Sequence, residues 1–402
     1  MAPRPPPFRA EHIGSLLRSQ RLLQKRNEIA AGAQDKEEVL RQIEDEEIGE
    51  AVELQQRLGY YAVTDGEFRR ALYWGSFFTD LEGKQEITVT SADANELFRP
   101  YGCDVKLFTE EGSKGGNTVI CVGKIKWVKS SYLDHFMFLK NLVPPDQVKC
   151  IKMTLASPEW YHMRYKPGKA FPKDVYANSR ECFDDIAAAF REEIRVLYEA
   201  GCRNFVIDNP NLGFCCDQSF ADGWAADDSN DLSLIEQVIE YIEVMNYCFA
   251  GLPSDAHTGV HLCRGNFMSR HWASGGYLAI ARELFTRSKV DTFYLEFDTE
   301  RAGGFEPLRC LPAEKSVVLG LVTTKFAKLE DKKELKSRVL EAARYMAKGA
   351  GQTQAQAMER ISVSPQCGFA SAAIGNLVSK DDQAAKLKLV RELADELWLG
   401  ER

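Results

Sequence analysis

The sequence predicts an α/β fold: a single (β/α)8 TIM barrel over residues 1–402, with an antiparallel hairpin or small sheet inserted after the second strand. Three observations lead to this prediction. Eight short apolar runs recur along the chain, amphipathic helical patterns separate most of them, and one segment of alternating residues interrupts the repeat. Repeated strand-then-helix units are typical of a parallel sheet with helical crossovers. An open doubly wound sheet is the alternative, but no Gly-x-Gly-x-x-Gly follows the first run.

The predicted strands are short runs rich in Val, Ile, Leu, Phe and Tyr. They cover residues 11–16, 60–65, 149–156, 203–208, 257–263, 292–297, 316–322 and 360–364. The predicted helices place apolar residues at i, i+3 and i+4 and charged residues on the opposite face. They cover residues 36–58, 178–200, 232–249, 330–348 and 380–397.

Two segments interrupt the repeat. Residues 81–130 alternate apolar and polar side chains between glycines, which predicts the inserted hairpin. Residues 209–231 are rich in Gly, Asp and aromatic residues, which predicts a long loop after the fourth strand. Because the loops that follow the strands form the active face of a barrel, both segments are candidate lids.

Composition narrows the class of protein. A chain of 402 residues with 45% hydrophobic content can bury one large core. The net charge of −8 is spread along the chain without a Lys/Arg-rich cluster, so no nucleic-acid partner is expected. The eleven scattered cysteines favour reduced thiols, and no signal-like or membrane-spanning apolar stretch is present. We therefore expect a cytoplasmic enzyme that acts on small molecules, with no membrane partner.

The most informative short motif is His261-Leu262-Cys263 at the end of the fifth predicted strand. Side chains at i and i+2 of a strand share a face, so His261 and Cys263 can converge on one point. An imidazole together with a thiolate suits zinc. Taken alone, the pair is more typical of a packed histidine and an inert buried thiol.

Two further residues strengthen the metal interpretation. Glu296 follows the apolar run of the sixth predicted strand, and Cys367 follows the eighth. The carboxyl ends of barrel strands lie on one face, so both side chains should join His261 and Cys263 there. The four residues predict a tetrahedral zinc site with nitrogen, sulfur and oxygen ligands.

Short motifs in this order resemble those of the cobalamin-independent methionine synthase family, in its catalytic C-terminal barrel and its short archaeal and bacterial members. The matching segments are HIGSLLR at 12–18, VTDGEF at 63–68, VIDNP at 206–210, HLC at 261–263, LEFD at 295–298 and SPQCGF at 364–369. The resemblance covers nearly the whole chain. It implies a zinc-dependent transfer of a methyl group to homocysteine, with methyltetrahydrofolate as a possible donor, and it implies the same four metal ligands.

Zinc explains why such a site would serve a thiol substrate. A free alkyl thiol has a pKa near ~8.5, and coordination to Zn²⁺ deprotonates it. Two cysteine thiolates and one carboxylate already outweigh the charge of the ion, which leaves a bound substrate sulfur electron-rich. A site of three histidines would instead favour activation of water.

The resemblance also implies residues that bind the amino-acid part of the substrate. These are Ser15 with the backbone of Ile13 and Gly14, together with Glu67 and Asp208. A carboxylate pair suits an ammonium group. Alternatively, Asp65 and Asp208 are helix caps or turn formers after their strands.

Trp160, after the third predicted strand, falls where the family places an aromatic ring against the pterin of the donor. Stacking is physically suitable there, although a tryptophan in such a loop is as often a packing residue.

Three residues depart from the family's pattern. Lys325 stands after the seventh predicted strand, where the family has a histidine that is thought to protonate the leaving group. A lysine can donate a proton or pair with an anionic substrate, so we expect a catalytic role for Lys325. Asn209 replaces a glutamate and Gln366 an aspartate, which leaves the acceptor thiol and the alkyl donor open.

Three other functions remain open on the sequence alone. A related zinc enzyme could alkylate a thiol with another small molecule, such as an epoxide or a secondary metabolite. A uroporphyrinogen decarboxylase-like barrel would need no metal. A non-enzymatic zinc-holding protein is less consistent with the pattern, because structural zinc usually binds closely spaced cysteine pairs.

Overall fold

A computed structural model describes residues 5–32, 37–105 and 116–399, and its strands form two sheets. In chain order the strands are β1 Glu82–Val89, β2 Gly116–Lys126, β3 Lys152–Ala156, β4 Asn204–Asp208, β5 His257–Leu262, β6 Thr292–Glu296, β7 Ser316–Val322 and β8 Ile361–Pro365. Strands β3 to β8 form a six-stranded parallel sheet in sequential order. This order excludes the doubly wound alternative for these strands, because a doubly wound sheet reverses its order part-way.

The helices occupy the stretches between these strands. They are α1 Gln20–Ala30, α2 Glu37–Arg57, α3 Ser91–Leu97, α4 Leu133–Leu142, α5 Trp160–Arg164, α6 Ser179–Ala200, α7 Pro210–Phe214, α8 Gln218–Ala225, α9 Leu234–Cys248, α10 Ala281–Arg287, α11 Lys332–Ala350, α12 Gln354–Met358 and α13 Lys380–Leu397. The five helices predicted from periodicity correspond to α2, α6, α9, α11 and α13. Side-chain caps begin several of them, such as Ser233 before α9 and Ser379 before α13.

Strands β3 to β6 and β8 are buried at every position, as expected of a parallel sheet with both faces covered. The side chains of Ile13, Val206, Tyr294 and Val318 form a small hydrophobic cluster of their own. It is separate from the main hydrophobic core, to which the buried faces of the helices belong. The register pairs Asp208 with His261 and Glu296 with Gly320, so the carboxyl ends of these strands lie side by side.

The prediction of regular strands at residues 11–16 and 60–65 was wrong. Near the first segment there is one parallel bridge, from Ala10 to Val363 of β8. Within the second segment, Val63 O accepts a hydrogen bond from Lys152 N of β3 at 3.0 Å. A side chain replaces part of the expected ladder, because the Gln55 amide bonds both N and O of Thr64. Both segments flank the regular sheet, but the sheet has six regular strands instead of eight, and a closed eight-stranded barrel is not confirmed.

The predicted insertion at 81–130 contains the hairpin. Strands β1 and β2 pair antiparallel, from Glu82 opposite Lys126 to Val89 opposite Gly116, with α3 after the first strand. The prediction of a long loop at 209–231 was wrong, since α7 and α8 lie within this segment. Asn209 and Asp217 cap these two helices with their side-chain oxygens, which is how an Asp- and Asn-rich segment supports short helices.

In the described part of the chain, no helix combines the length and the apolar character that a membrane span would require. The assignment of residues 1–402 to one domain stays a prediction.

Candidate metal centre

The ends of β5, β6 and β8 bring together the four residues predicted as metal ligands. One ligand atom each from His261, Cys263, Glu296 and Cys367 lies within 4.8 Å of every other, and all four side chains are buried. Cys263 and Cys367 are free thiols whose sulfur atoms lie 3.5 Å apart. Two soft sulfur atoms, an imidazole and a carboxylate at this spacing form a donor set that suits a tetrahedral ion such as zinc.

Hydrogen bonds to the backbone fix which atom of His261 and which atom of Glu296 faces the other ligands. His261 Nδ1 donates to Tyr294 O at 3.1 Å, while its Nε2 is buried without a partner. Glu296 Oε2 accepts from Arg264 N at 3.0 Å, while its Oε1 has no partner. Metal-binding histidines commonly donate their second ring nitrogen to a carbonyl in this way. The two unpartnered buried atoms, Nε2 and Oε1, fit a metal ion.

Burial also affects the protonation of the carboxylate. The pKa of Glu296 is raised to about 7, mainly by burial and secondly by the negative charge of the nearby Cys367. Arg264 Nη1 lies 3.7 Å from Glu296 Oε2, but one guanidinium does not offset two thiolates and a carboxylate, so a divalent cation would stabilise the anionic forms of this cluster.

Two predicted substrate-binding acids lie near this centre. Asp208 has a buried Oδ1 without a partner, and burial raises its pKa to about 8 although His261 opposes the shift. Glu67 Oε1 accepts from Thr154 Oγ1 at 2.8 Å, and its Oε2 has no partner. Glu67 also has φ of +59°, a left-handed conformation that non-glycine residues rarely adopt. Strain of this kind persists where the surrounding structure enforces it, and functional sites are frequent examples.

The other predicted head-group residues lie in the segment beside β8. Ser15 O accepts from Phe369 N at 2.9 Å, and Ser15 Oγ accepts from Ala370 N at 3.3 Å. Gly14 O accepts from Thr64 Oγ1 at 2.8 Å. The Ile13 side chain packs in the small hydrophobic cluster. The structure therefore places Ser15 directly against the loop that carries Cys367.

Trp160 is almost fully buried in a group of aromatic residues. Its ring lies 5.0 Å from Trp74 at a tilt of 36° and 5.5 Å from Tyr73 edge-on, and the Arg164 guanidinium lies 5.2 Å from its centre. Trp74 is only partly buried. Stacking of a substrate on Trp160 stays a prediction.

Lys325 lies in the loop after β7 and is 3% exposed. Its Nζ donates to Gly265 O at 3.0 Å and to Asn266 Oδ1 at 2.9 Å. The two acceptors lie two and three residues after Cys263, so the structure places Lys325 beside the loop of the candidate metal centre.

The two other departures from the family's pattern have structural contacts. Asn209 Oδ1 accepts from Leu212 N at 3.2 Å and caps α7. Gln366 Oε1 accepts from Thr324 N at 2.6 Å and ties the loop after β7 to the residue before Cys367.

Residues 169–395, more than half of the chain, match the family described as the catalytic domain of cobalamin-independent synthase. The chain belongs to this family. The resemblance predicted from the short motifs is thereby confirmed.

Similar proteins match along nearly the whole chain. The uncharacterized protein YxjG of Bacillus subtilis is 34% identical over 400 residues, which is 98% of this chain and 95% of that protein. A structure from Listeria monocytogenes, described as a candidate vitamin-B12-independent methionine synthase, is 26% identical with a TM-score of 0.69 and covers 98% of this chain and 99% of its own.

A B12-independent methionine synthase from Shewanella sp. W3-18-1, solved in complex with selenomethionine, is 17% identical with a TM-score of 0.65, and 97% of each chain is covered. At this identity the likeness concerns the fold. The α/β fold of this chain is thus similar to that of methionine synthase catalytic domains of the TIM-barrel type.

Sequence reasoning missed Arg264 and Tyr277, which both contact Glu296 of the candidate metal centre. Arg264 is fully buried, and its Nη1 donates to Tyr277 Oη at 2.8 Å. Tyr277 Oη also accepts from Glu296 N at 2.9 Å and donates to Leu262 O at 3.0 Å. Because Arg264 directly follows Cys263, the sequence places it close to the predicted site, but no pattern in the sequence links it to Tyr277 or Glu296.

Proposed function

We propose that the protein transfers a methyl or other alkyl group to the sulfur of a small-molecule thiol, with zinc held by His261, Cys263, Glu296 and Cys367. Homocysteine is the first candidate acceptor, and methyltetrahydrofolate is one candidate donor. The observation that carries the proposal is the convergence of the four ligand atoms within 4.8 Å at the ends of three strands. Membership of the cobalamin-independent synthase family supports it and favours it over a metal-free decarboxylase-like activity.

Zinc, when bound, would lower the pKa of a coordinated substrate thiol so that a thiolate is available at neutral pH. The protein residues would supply the geometry. Because His261 Nδ1 donates to Tyr294 O and Glu296 Oε2 accepts from Arg264 N, these two ligands each leave one atom, Nε2 and Oε1, to face the centre. A site whose ligands are already oriented loses little entropy when it binds an ion.

Asp208 and Glu67 would bind the ammonium group of an amino-acid thiol. Each has a buried carboxylate oxygen without a partner, and Asp208 is paired in the sheet with the metal ligand His261. An ammonium group would supply positive charge to Asp208 and would add to that of Arg70, whose Nη1 lies 3.8 Å from Glu67 Oε1. Ser15 lies against the loop of Cys367 and would contact the substrate carboxylate.

Metal analysis tests the ligand assignment. We expect the purified protein to contain about one zinc per chain, and His261→Ala and Cys367→Ser to lose most of it, because each variant removes one of the four converging ligand atoms. Cys202→Ser is the matched control, since Cys202 is also a buried free thiol but lies before β4, at the other end of the sheet. Full zinc content in the two ligand variants would refute the assignment.

Activity requires a separate assay. The zinc-loaded protein is incubated with homocysteine and either methyltetrahydrofolate or methylcobalamin, and methionine is quantified by mass spectrometry. We expect methionine from at least one donor, and none from Cys367→Ser. If zinc is present but no methionine forms with either donor, other thiols and alkylating agents, including epoxides, become the next candidates.

A further inference from the structure

Lys325 is a buried cation without an acidic partner. Its side chain is 3% exposed, and the two contacts of its Nζ are a carbonyl oxygen and an amide oxygen, both uncharged. Among the described residues, no carboxylate oxygen lies within 4.0 Å of Nζ. This differs from Lys152, which is equally buried but pairs with Glu11 at 2.7 Å.

A hydrogen-bond network holds Lys325 in place. Asn266 Oδ1, which accepts from Lys325, also accepts from Asn376 Nδ2 at 2.8 Å. Asn266 Nδ2 donates to Gly368 O at 2.7 Å, and Asn376 Nδ2 lies 3.1 Å from Thr324 O. The network therefore joins the loops that follow β5, β7 and β8, two of which carry metal ligands.

The charge of Lys325 calls for an anion. A buried ammonium group is costly unless a negative charge compensates it, and neutral acceptors compensate it only in part. An ammonium group has three N–H donors, and two of them are used. One donor is thus available on a rigidly held cation beside the metal cluster.

We propose that Lys325 is the binding residue for an oxyanion group of the alkyl donor, such as a carboxylate, sulfonate or phosphate. This inference rests on the proposed function. We assign the anion to the donor because the proposed function already gives the charged groups of the thiol other contacts, Glu67 and Asp208 for the ammonium group and Ser15 for the carboxylate. Lys325 and its network belong to the loops after β5, β7 and β8.

A competing explanation is that Lys325 only balances the metal cluster. Two thiolates and one carboxylate around a divalent ion leave one negative charge, which a nearby lysine would offset. This explanation requires no anion site, and the following experiment separates the two.

Acetate and acetamide serve as matched probes, since they are similar in size and differ in charge. Their binding to the zinc-loaded protein is measured by saturation-transfer NMR with titration. We expect wild type to prefer acetate by about tenfold, the scale of one charge-assisted hydrogen bond. Lys325→Gln should reduce the preference to below about twofold, and Lys325→Arg should retain most of it.

Lys140→Gln is the control variant, because Lys140 also donates to a carbonyl, Ala200 O at 2.7 Å, but lies on α4. It should leave the preference unchanged. Circular dichroism and zinc content are recorded for each variant. Equal binding of the two probes to wild type, or an unchanged preference in a folded Lys325→Gln protein, would overturn the inference in favour of charge balance. If purified wild type lacks zinc, the proposed function fails, whereas an acetate preference that Lys325→Gln abolishes still supports the anion site and an unchanged preference still overturns it.

Discussion

Tyr277 shows how a single side chain can position a candidate metal ligand through its backbone. Its hydroxyl accepts from Glu296 N and from Arg264 Nη1 and donates to Leu262 O, so it ties the end of β5 to the end of β6. The Arg264 guanidinium lies 4.0 Å from the centre of the Tyr277 ring. Cys263 follows β5 and Glu296 is the last residue of β6, so the separation of the two side chains depends on this contact.

Tyr277→Phe should therefore weaken metal binding while it leaves the four ligands in place. We expect about a tenfold loss of zinc affinity, the lower end of the effect of outer partners of metal ligands. Competition with a zinc chelator measures it. Tyr247→Phe, on the partly exposed end of α9, is the control and should bind zinc like wild type. An unchanged affinity in Tyr277→Phe would mean that the strand ends hold their separation without this hydroxyl.

Glu159 makes stability depend on pH. Burial raises its pKa from 4.5 to about 7 in the folded protein, so between these values the unfolded chain ionises while the folded protein stays neutral. The contribution of Glu159 to stability is thus full below about pH 4.5, falls as pH rises towards 7, and stays low above it. Glu159→Gln should remove this loss and be more stable than wild type at pH 8 by up to roughly 3 kcal/mol, at about 1.4 kcal/mol per pKa unit.

Urea unfolding of both proteins at pH 5 and at pH 8 tests this expectation. At pH 5 the two free energies of unfolding should be close, since the folded carboxyl is neutral like the amide. A difference between the proteins that is the same at both pH values would contradict the assigned cause.

The convergence of the four candidate metal ligands could be predicted because strand periodicity and strand ends are local properties of the sequence. His261 and Cys263 share a face at i and i+2, and Glu296 and Cys367 follow apolar runs. Their support could not be predicted in the same way. Tyr277 and Arg264 meet through the fold, across a turn that no periodic pattern marks.

At the scale of elements, one buried glutamate joins the hairpin to the helical layer. Glu193 on α6 accepts from Trp127 Nε1 at 2.9 Å, from Ser130 Oγ at 2.7 Å and from Tyr132 N at 3.0 Å. These donors lie where the chain leaves β2 and enters α4. The position of the inserted hairpin against α6 thus depends partly on a polar contact.

Glu193→Ala should destabilise the protein by about 3 kcal/mol, because it leaves several buried donors without an acceptor. Glu199→Ala is the control on the same helix, since the Glu199 side chain is 61% exposed and should change stability by less than about 0.5 kcal/mol. Urea unfolding gives both values, and hydrogen exchange should show the earliest loss of protection near β2. Equal stability of the two variants would exclude this role for Glu193.

The elements that periodicity predicted well are those whose backbone hydrogen bonds lie within one helix or form a regular ladder between neighbouring strands. All five predicted helices and the last six strands satisfy this condition. The segments at 11–16 and 60–65 do not, because side chains such as Gln55 and Thr64 take up several of their backbone groups. An apolar run shows that a segment is buried, and it does not show which groups complete its hydrogen bonds.

At the scale of the whole molecule, the N-terminal segment connects to the far edge of the parallel sheet. Glu11 N donates to Val363 O at 2.9 Å, and Val363 N donates to Arg9 O at 3.0 Å. The Arg9 side chain is fully buried, and its Nη1 donates to Met358 O and Ile361 O while the guanidinium lies 4.7 Å from the Trp398 ring centre. The same segment then continues to Ser15, which bonds the loop of Cys367.

Arg9→Met should therefore affect stability and metal retention together. It leaves buried carbonyls without a donor, which we expect to cost about 3 kcal/mol. Separation of the segment from β8 also frees the loop that Ser15 O holds through Phe369 N. In guanidinium titrations, circular dichroism and zinc release to a chromogenic chelator should shift to lower denaturant by the same amount, since one connection supports both. Arg344→Met, on the exposed face of α11, should shift neither curve. If Arg9→Met lowers the unfolding midpoint while zinc release keeps its wild-type midpoint, the metal centre is stable without the N-terminal connection, and the coupling between them is refuted.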